Sequence, residues 1–501
     1  MNKPTLPPSG GMRGFFAAPP AQLAQAKLHQ AVALHQQGEF AQARALYEQV
    51  IKLQPKNFDA LHLLGVIALQ SGEAEAAVDL ITKAIKVERN KPQAYNHRGA
   101  AYAQLAQYDF ALLNYGKAVE LDPRFAEAWN NRANVHLALG RLPEALADLD
   151  QAIAIQPEYA DALTNRGNVL SEMGRHTEAL ASYQRAVEIN PASMEARWSL
   201  GMASLRQGRF VQGWAYSEAR LPVWSAPGKG QFEQPRWTGQ EPLAGKTLLV
   251  QCEQGLGDTI EFSRYVPLLV AQGARVVFEV QRPLVRLLQG MPGVTLVAEG
   301  DPLPAFDAHV PLLSLPMAFR TDLSNIPAPT PIGAEPERVQ AWRAILGERQ
   351  RPRVGLVWSG NASHVDDRKR SMGLQALLPL LSPDIEWISL HKDVRPEDAQ
   401  VLAAHPEIRH FGDQQQSFAD AAAMCELLDL VISVDTSLAH LAGSMGKPVW
   451  ILLAHNPDWR WLLDRADTPW YPSATLFRQP AYGDWGAVLA QVKQALASRF
   501  A

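Results

Sequence analysis

A 34-residue period runs through the front of this 501-residue chain and limits what it can fold into. Gly38, Gly72, Gly140, Gly174 and Gly208 share one register, with Ala106 in the vacant place. Pro55, Pro123, Pro157 and Pro191 hold a second register, missed only at Arg89, and Ala43, Ala77, Ala111, Ala145 and Ala179 a third. Each unit reads as two short amphipathic helices, the glycine turning the chain between them and the proline ending the second. One such pair cannot bury its own apolar face, so about three or more must stack into a solenoid.

The run Ala94-Tyr95-Asn96-His97-Arg98-Gly99-Ala100-Ala101-Tyr102, followed by Ala111, Tyr115, Ala118 and Pro123, resembles the tetratricopeptide repeat in pattern and spacing. The resemblance implies a helical solenoid of about six repeats over residues 23–222, with a concave face that takes a protein or peptide. Asn131 and Asn165, then Asn134 and Asn168, fall at equivalent places in the first helices, with Asn96 nearby. A carboxamide both donates and accepts, so such a ladder either grips the backbone of an extended peptide or simply caps and solvates each helix. Arg98, Arg132 and Arg166 recur as well, and an interhelix role suits them as well as a ligand role.

Around the array the pattern fades. Residues 1–22, rich in Pro and Gly, read as a disordered lead, and repeat six decays where Gly213 replaces the expected alanine. Residues 223–245, with Trp224 and Trp237, read as a packed junction. A formal net charge of −4, from 47 Lys and Arg against 51 Asp and Glu, gives no global basic field for nucleic acid. Cys252 and Cys425 stand far apart in apolar segments, which supports neither a disulfide framework nor a thiolate metal site. No apolar run reaches membrane-spanning length, and no secretion signal opens the chain, so a cytoplasmic protein is expected.

From Lys246 onward strands alternate with helices, which implies parallel sheets covered on both faces and two Rossmann-like lobes, at 246–335 and 352–480, then a terminal helix over 484–501. Leu428 to Val434 is an apolar, β-branched run that meets Asp435, Thr436 and Ser437, three residues of the helix-capping type. His440 follows Ser437 by three and shares its helix face. Acid, hydroxyls and imidazole thus converge at the carboxyl end of a strand, a position that suits a diphosphate or ribose. The first strand of the other lobe, Thr247–Cys252, ends in the glycine loop Gly255-Leu256-Gly257-Asp258. A dinucleotide fingerprint is not met there, since Ile260 stands where its third glycine belongs. Asp258 either caps its helix or acts as a base.

Further loops add candidates. Ser359 and Asn361 end a strand and precede Arg368, Lys369 and Arg370, which read as a solvated charge run or as cations facing a diphosphate. His391 and Lys392 end the next strand, within reach of a base or ribose, and the aromatics of His455–Trp461 cover a ligand or pack on the lobe. The one Asp-x-Asp, Asp148 and Asp150, lies in a repeat helix, so no metal is expected.

Gly-Leu-Gly-Asp258 and Ser-Val-Asp435-Thr-Ser-Leu-Ala-His440 together resemble the heptosyltransferase-type family 9 of bacterial glycosyltransferases, over residues 246–480. The resemblance implies a two-lobed glycosyltransferase-B fold and an inverting, metal-independent transfer from a nucleotide sugar. Asp258 would then be the general base. Asp435, Thr436, Ser437 and His440 would bind the donor, and Arg368 to Arg370 would face its phosphates. The family's lysine after the first strand of the second lobe has no counterpart, and a repeat array fused to transferase lobes is similar in layout to protein O-glycosyltransferases. The expected acceptor is therefore a protein recruited by the repeats. The alternatives are a saccharide acceptor with docking repeats, or a non-catalytic scaffold whose rear lobes sense a ligand.

Overall fold

A computed structural model describes residues 20–224, 232–363 and 367–500. Of the lead at 1–22, residues 1–19 lie outside the described residues and Pro20 opens the first helix; of the junction at 223–245, residues 225–231 lie outside them, as does the side chain of Trp224. The chain divides into two compact units, one through Val169 and one from Leu170.

The first unit is built of antiparallel helix pairs: Pro20–Gln36 with Phe40–Leu53, Phe58–Gln70 with Ala74–Val87, Pro92–Gln104 with Tyr108–Leu121, and Ala126–Ala138 with Leu142–Ile155. The periodic glycines are left-handed turn residues: φ is +81° at Gly38, +77° at Gly72 and +71° at Gly140. Each closes its helix with the same bonds, for example Gly38 N–H to the His35 carbonyl at 3.0 Å and Glu39 N–H to the Leu34 carbonyl at 2.9 Å. Ala106 holds that place at φ +54° and makes the same two bonds. The periodic prolines stand one residue past the helix-ending Gln54, Asp122 and Gln156. The periodic alanines are fully buried, and Tyr47, Ile81, Tyr115 and Leu149, again 34 apart, fill the space between helices. Burying each of these large side chains contributes roughly 1.5–3 kcal/mol. Gly99 shows how tightly a pair closes, because a Cβ there would stand 2.8 Å from the Tyr115 ring.

The second unit begins inside the helix Ala160–Glu172, so its first elements continue the repeats: His176–Ile189, then the pair Met194–Arg206 and Phe210–Ser217. The compact division therefore falls about two repeats before residue 222, where the sequence pattern fades. The reason is aromatic packing. Phe210 and Trp214 lie against Trp459 and Trp470, with ring centroids 5.1–6.5 Å apart, and Trp214 Nε1–H donates to the Thr321 carbonyl at 2.9 Å.

Two all-parallel sheets follow. The first contains β1 (Thr247–Gln251), β2 (Arg275–Val280), β3 (Val294–Ala298) and β4 (Ala308–Pro311), in the order β3-β2-β1-β4. The second contains β5 (Arg353–Val357), β6 (Glu386–Ser389), β7 (Ile408–His410), β8 (Leu430–Val434), β9 (Val449–Leu453) and β10 (Ala474–Arg478), ordered β10-β9-β8-β5-β6-β7. Both orders start centrally and wind outward in two directions, which leaves a switch point between β1 and β4 and another between β5 and β8. Strands β5, β8 and β9 are buried along their whole length, which explains their largely apolar runs. The junction is packed where it is described: Trp237 is buried, and its N–H donates to the His309 carbonyl of β4 at 2.8 Å. The helix Trp485–Arg499 covers the second sheet with Val488, Leu489, Val492 and Leu496. Among the described residues no helix is long and apolar enough to cross a membrane.

Ala106 carries a left-handed backbone that costs an L-residue roughly 1–2 kcal/mol, against roughly 0.5–1 kcal/mol of extra chain entropy for glycine. Ala106→Gly should therefore raise the urea midpoint of the protein, by roughly 0.5–1 kcal/mol of stability, and an unchanged or lower midpoint would refute the strain at this turn.

Candidate functional site

The loops after β1 and β8, one at each switch point, face the same cleft. After β1 the chain turns through Gly255 into the helix Leu256–Phe262, and the Oδ2 of Asp258 accepts the Gly255 N–H at 2.8 Å. After β8 it turns through Asp435 and Thr436 into the helix Ser437–Ser444. The two helix starts nearly touch. A Cβ on Gly257 would stand 2.8 Å from Cδ2 of His440 and 3.5 Å from Cα of Ser437, so only glycine lets the backbone pass. The glycine loop is thus a close approach between the sheets, and Ile260, fully buried, belongs to the core instead.

The cleft has a volume of about 1780 Å³, and Gly255, Gly257, Asp258, Ser359, Asn361, Arg370, His391, Lys392, Asp435, Thr436, Ser437 and His440 all line it. Arg368 does not: it is exposed and away from the lining, and Lys369 and Arg370 take its expected place. Periodicity decides this, since one step along the helical turn Asp367–Arg370 rotates a side chain by about 100°. Arg370 Nη1–H donates to the Asp435 carbonyl at 3.0 Å, while its Nε is buried without a hydrogen-bond partner. Lys369 pairs with Glu172 at 2.8 Å. Asn361 folds back on itself, its Oδ1 accepting from Ser363 N–H at 3.0 Å. His391 lines the cleft and also braces the strand end: its Nε2 accepts the Trp358 N–H at 3.1 Å, and burial pushes its pKa down to about 3. Lys392 is exposed at the rim.

Beneath the loops lies a buried charge cluster centred on Arg460. Its guanidinium donates to Asp458 at 2.8 Å through Nη1, to Asp258 through Nη2 and to Glu261 through Nε. Glu261 is fully buried, with its second oxygen unpartnered. Burial lifts its carboxyl to about 7 against the pull of Arg460 and Arg264. Burial likewise raises Asp258, in spite of Arg460, and lifts Asp435 to about 6. His440 is held neutral, well below the ordinary imidazole range, by burial and then by Arg460, Arg264 and Arg370. Its Nδ1 lies 2.9 Å from the Tyr471 hydroxyl, and its ring stacks on Trp461, whose Nε1–H donates to Asp435 Oδ2 at 2.8 Å. Trp459 and Trp461 are therefore interior struts and not a ligand cover.

Sequence reasoning missed Arg460 and Glu261. One signal was present: Glu261 interrupts the apolar run Thr259–Phe262 and stands three residues from Asp258, on the same helix face. It also missed Glu172 and Arg206, which reach the cleft from repeat helices. Eight Lys and Arg line the cleft against five carboxylates, in a chain of formal net charge −4. Carboxylates pair with most of these cations, as in Arg282 with Asp301, Arg286 with Glu335 and Arg395 with Asp367. Arg370 and Lys392 have no carboxylate partner among the described residues.

The asparagines of the first unit turn partly toward one another. Asn96 is 1% exposed; it donates to Glu127 at 2.9 Å and accepts from Asn131 at 3.1 Å, which makes it an interior link and not a peptide contact. Asn165 donates to Asn130 at 2.9 Å, so this ladder ties successive first helices together. Asn134 is exposed and Asn168 half-buried. The recurrent arginines are interhelix bonds: Arg132 forks onto Asp148 at 2.6 and 2.7 Å, Arg166 reaches Asp150 at 2.7 Å, and Arg98 reaches Asn114 at 2.7 Å. The Asp148 and Asp150 carboxylates are thereby engaged.

Residues 28–95 and 124–192 match the tetratricopeptide repeat, and residues 102–140 match the TPR repeat, so the span 28–192 is a tetratricopeptide-repeat array. Protein FlbA of Caulobacter vibrioides is 27% identical over 316 residues, 58% of this chain and 52% of that relative, so the match spans about half its length. Among solved structures, the chain is similar to YrrB, described as a TPR protein with an unusual peptide-binding site, at 25% identity and a TM-score of 0.30, covering 34% of this chain and 89% of that one. It is also similar to pilF of Pseudomonas aeruginosa, at 14% identity and a TM-score of 0.38, covering 41% and 94%.

Asn96→Ala leaves the Glu127 and Asn131 groups it joins without a partner, at a cost of about 1–3 kcal/mol. Chemical denaturation should register that loss. Unchanged stability would return Asn96 to the set of ligand contacts.

Proposed function

We propose that the second unit is an inverting, metal-independent glycosyltransferase with a glycosyltransferase-B arrangement, and that the repeats recruit a protein acceptor. The observation that carries the reading is the meeting of two switch-point loops at one cleft, Asp258 from the first sheet and Asp435 to His440 from the second. Open parallel sheets bind ligands at such points. The loops are also the stretches that resemble glycosyltransferase family 9.

Each residue has a role in the proposed chemistry. The N-terminal amides of the Ser437 helix, the Thr436 and Ser437 hydroxyls and the Arg370 guanidinium form an anion cradle for the donor diphosphate. Lys392, at the rim, adds a second cation. Asp258 takes the proton of an acceptor hydroxyl as the oxygen attacks the anomeric carbon from the face opposite the diphosphate. The bond from that carbon to the diphosphate oxygen breaks, the oxygen keeps the electron pair, and configuration inverts. Arg370 and the helix N-terminus stabilise the charge that develops on the leaving nucleoside diphosphate. Neutral His440 fills the floor beside Ser437 and Asp435. A protein acceptor is favoured over a free saccharide because Glu172 and Arg206, both on repeat helices, stand in the wall of the same cleft.

Thermal-shift measurements with nucleoside diphosphates and their sugars test the shared premise, since a ligand at 100 times its Kd stabilises by about 2.7 kcal/mol. A shift with one nucleotide family is expected; none with any of them would remove the enzyme reading. Arg370→Ala should weaken that nucleotide about 10-fold or more, the loss of one charge-assisted contact. Asp258→Ala should cut turnover about 10²- to 10⁴-fold with nucleotide affinity nearly intact. Turnover near wild type would leave Asp258 as a helix cap.

A further inference from the structure

A carboxylate bound by arginine makes a poor base, because an opposite charge at contact stabilises its ionised form. Asp258 is in that position, held by Nη2 of Arg460. The same guanidinium, however, spends its Nε edge on Glu261 and its Nη1 on Asp458. One positive charge is thus divided among three carboxylates.

We propose that Glu261 is the positioning residue for the candidate base: by occupying the Nε edge of Arg460, it draws that cation's charge away from Asp258 and fixes the edge that aims Asp258 into the cleft. The proposal rests on the reading of Asp258 as a base. Glu261 never meets the cleft, since it is fully buried and absent from the lining, so it acts on the site only through its neighbours, chiefly the shared guanidinium of Arg460.

The charged and titratable groups around Glu261 are few. From its own helix Asp258 stands one turn before it; from the turn Ser263–Tyr265 that follows come Tyr265 and Arg264, which donates to the Glu261 backbone carbonyl at 2.8 Å. From the second sheet's side come Arg460, His440 at 3.9 Å and the hydroxyl of Tyr471. His440 is neutral, so Arg460 and Arg264 are the cations that Glu261 balances. Burial raises both carboxyls, Asp258 and Glu261, against the pull of Arg460.

Glu261→Gln keeps the shape and the hydrogen-bonding length while removing the charge. Arg460 would then be divided between Asp258 and Asp458 alone, and the Asp258 titration midpoint should fall by about one unit or more, the usual scale for a cation at contact. Carbon-13 NMR of protein labelled at aspartate carboxyls reads that midpoint directly, with Asp258→Asn assigning the signal. The acid limb of kcat/KM for hydrolysis of the bound nucleotide sugar, with water as acceptor, should move down by the same amount, while nucleoside diphosphate affinity stays unchanged. Glu261→Asp, which keeps the charge, should hold the midpoint near wild type and restore the profile. A midpoint that does not move in folded Glu261→Gln, or moves equally in Glu261→Asp, overturns the proposal. Should Glu261→Gln not fold, Glu261→Asp decides alone: a midpoint displaced by one unit or more refutes charge-sharing. Absence of hydrolysis in the wild type would count against the transferase reading, and the NMR midpoints would still decide the role of Glu261.

Discussion

The guanidinium of Arg460 joins the two sheets of the rear unit. It comes from the segment after β9, yet two of its three carboxylate partners, Asp258 and Glu261, belong to the helix after β1. Taking such ions out of water costs several kcal/mol each, and the cost is recovered only when every partner is in position. A slipped seating of one sheet against the other would leave Asp258 and Glu261 without their cation and Arg460 with Asp458 alone. The interaction therefore acts less as a source of net stability than as a selector of one arrangement. Arg264 adds to it, since its guanidinium lies beside the rings of Trp470 and Tyr471 and donates to the Trp470 carbonyl at 3.1 Å.

That arrangement sets the cleft. Gly257 lets the two helix starts approach, and the approach gathers amides, hydroxyls and carboxylates from both switch points around one space. The low dielectric beneath it raises Asp258, Asp435 and Glu261 and keeps His440 neutral, so the floor is rich in groups whose protonation is sensitive to neighbours. Above it, Arg370 and Lys392 supply positive charge without a carboxylate to cancel it. Most cleft cations are thus paired, and the uncancelled positive charge is confined to these two positions on its wall.

The last repeat helices belong to the second compact unit. Phe210 and Trp214, in the sixth helix pair, enter the core of the rear unit beside Phe262, Trp459 and Trp470, and Arg220 is buried among Glu218, Glu253 and Ser314. Glu172 and Arg206 consequently stand in the cleft wall. Repeat helices are here both a continuation of the array and part of the site.

Local periodicity was enough to read the helix pairs, because turn, stop and core positions recur every 34 residues and each reports a backbone or packing need close by in sequence. The switch from 3.6-residue to strand patterning likewise revealed β1, β5, β6 and β8 and both strand-end loops, including Asp258, Asp435, Thr436, Ser437 and His440. The short or edge strands β3, β4, β7 and β10 were less legible, their apolar runs being brief or broken by polar residues. Only the tertiary structure could decide that Arg370 and not Arg368 faces the cleft, that Asn96 is interior, and that Arg460 meets Asp258, a partner 202 residues away. The physical reason is one of range. Hydrogen-bonded turns and amphipathic faces are properties of neighbouring residues, whereas the pairing of buried charges depends on which surfaces meet once the sheets have packed.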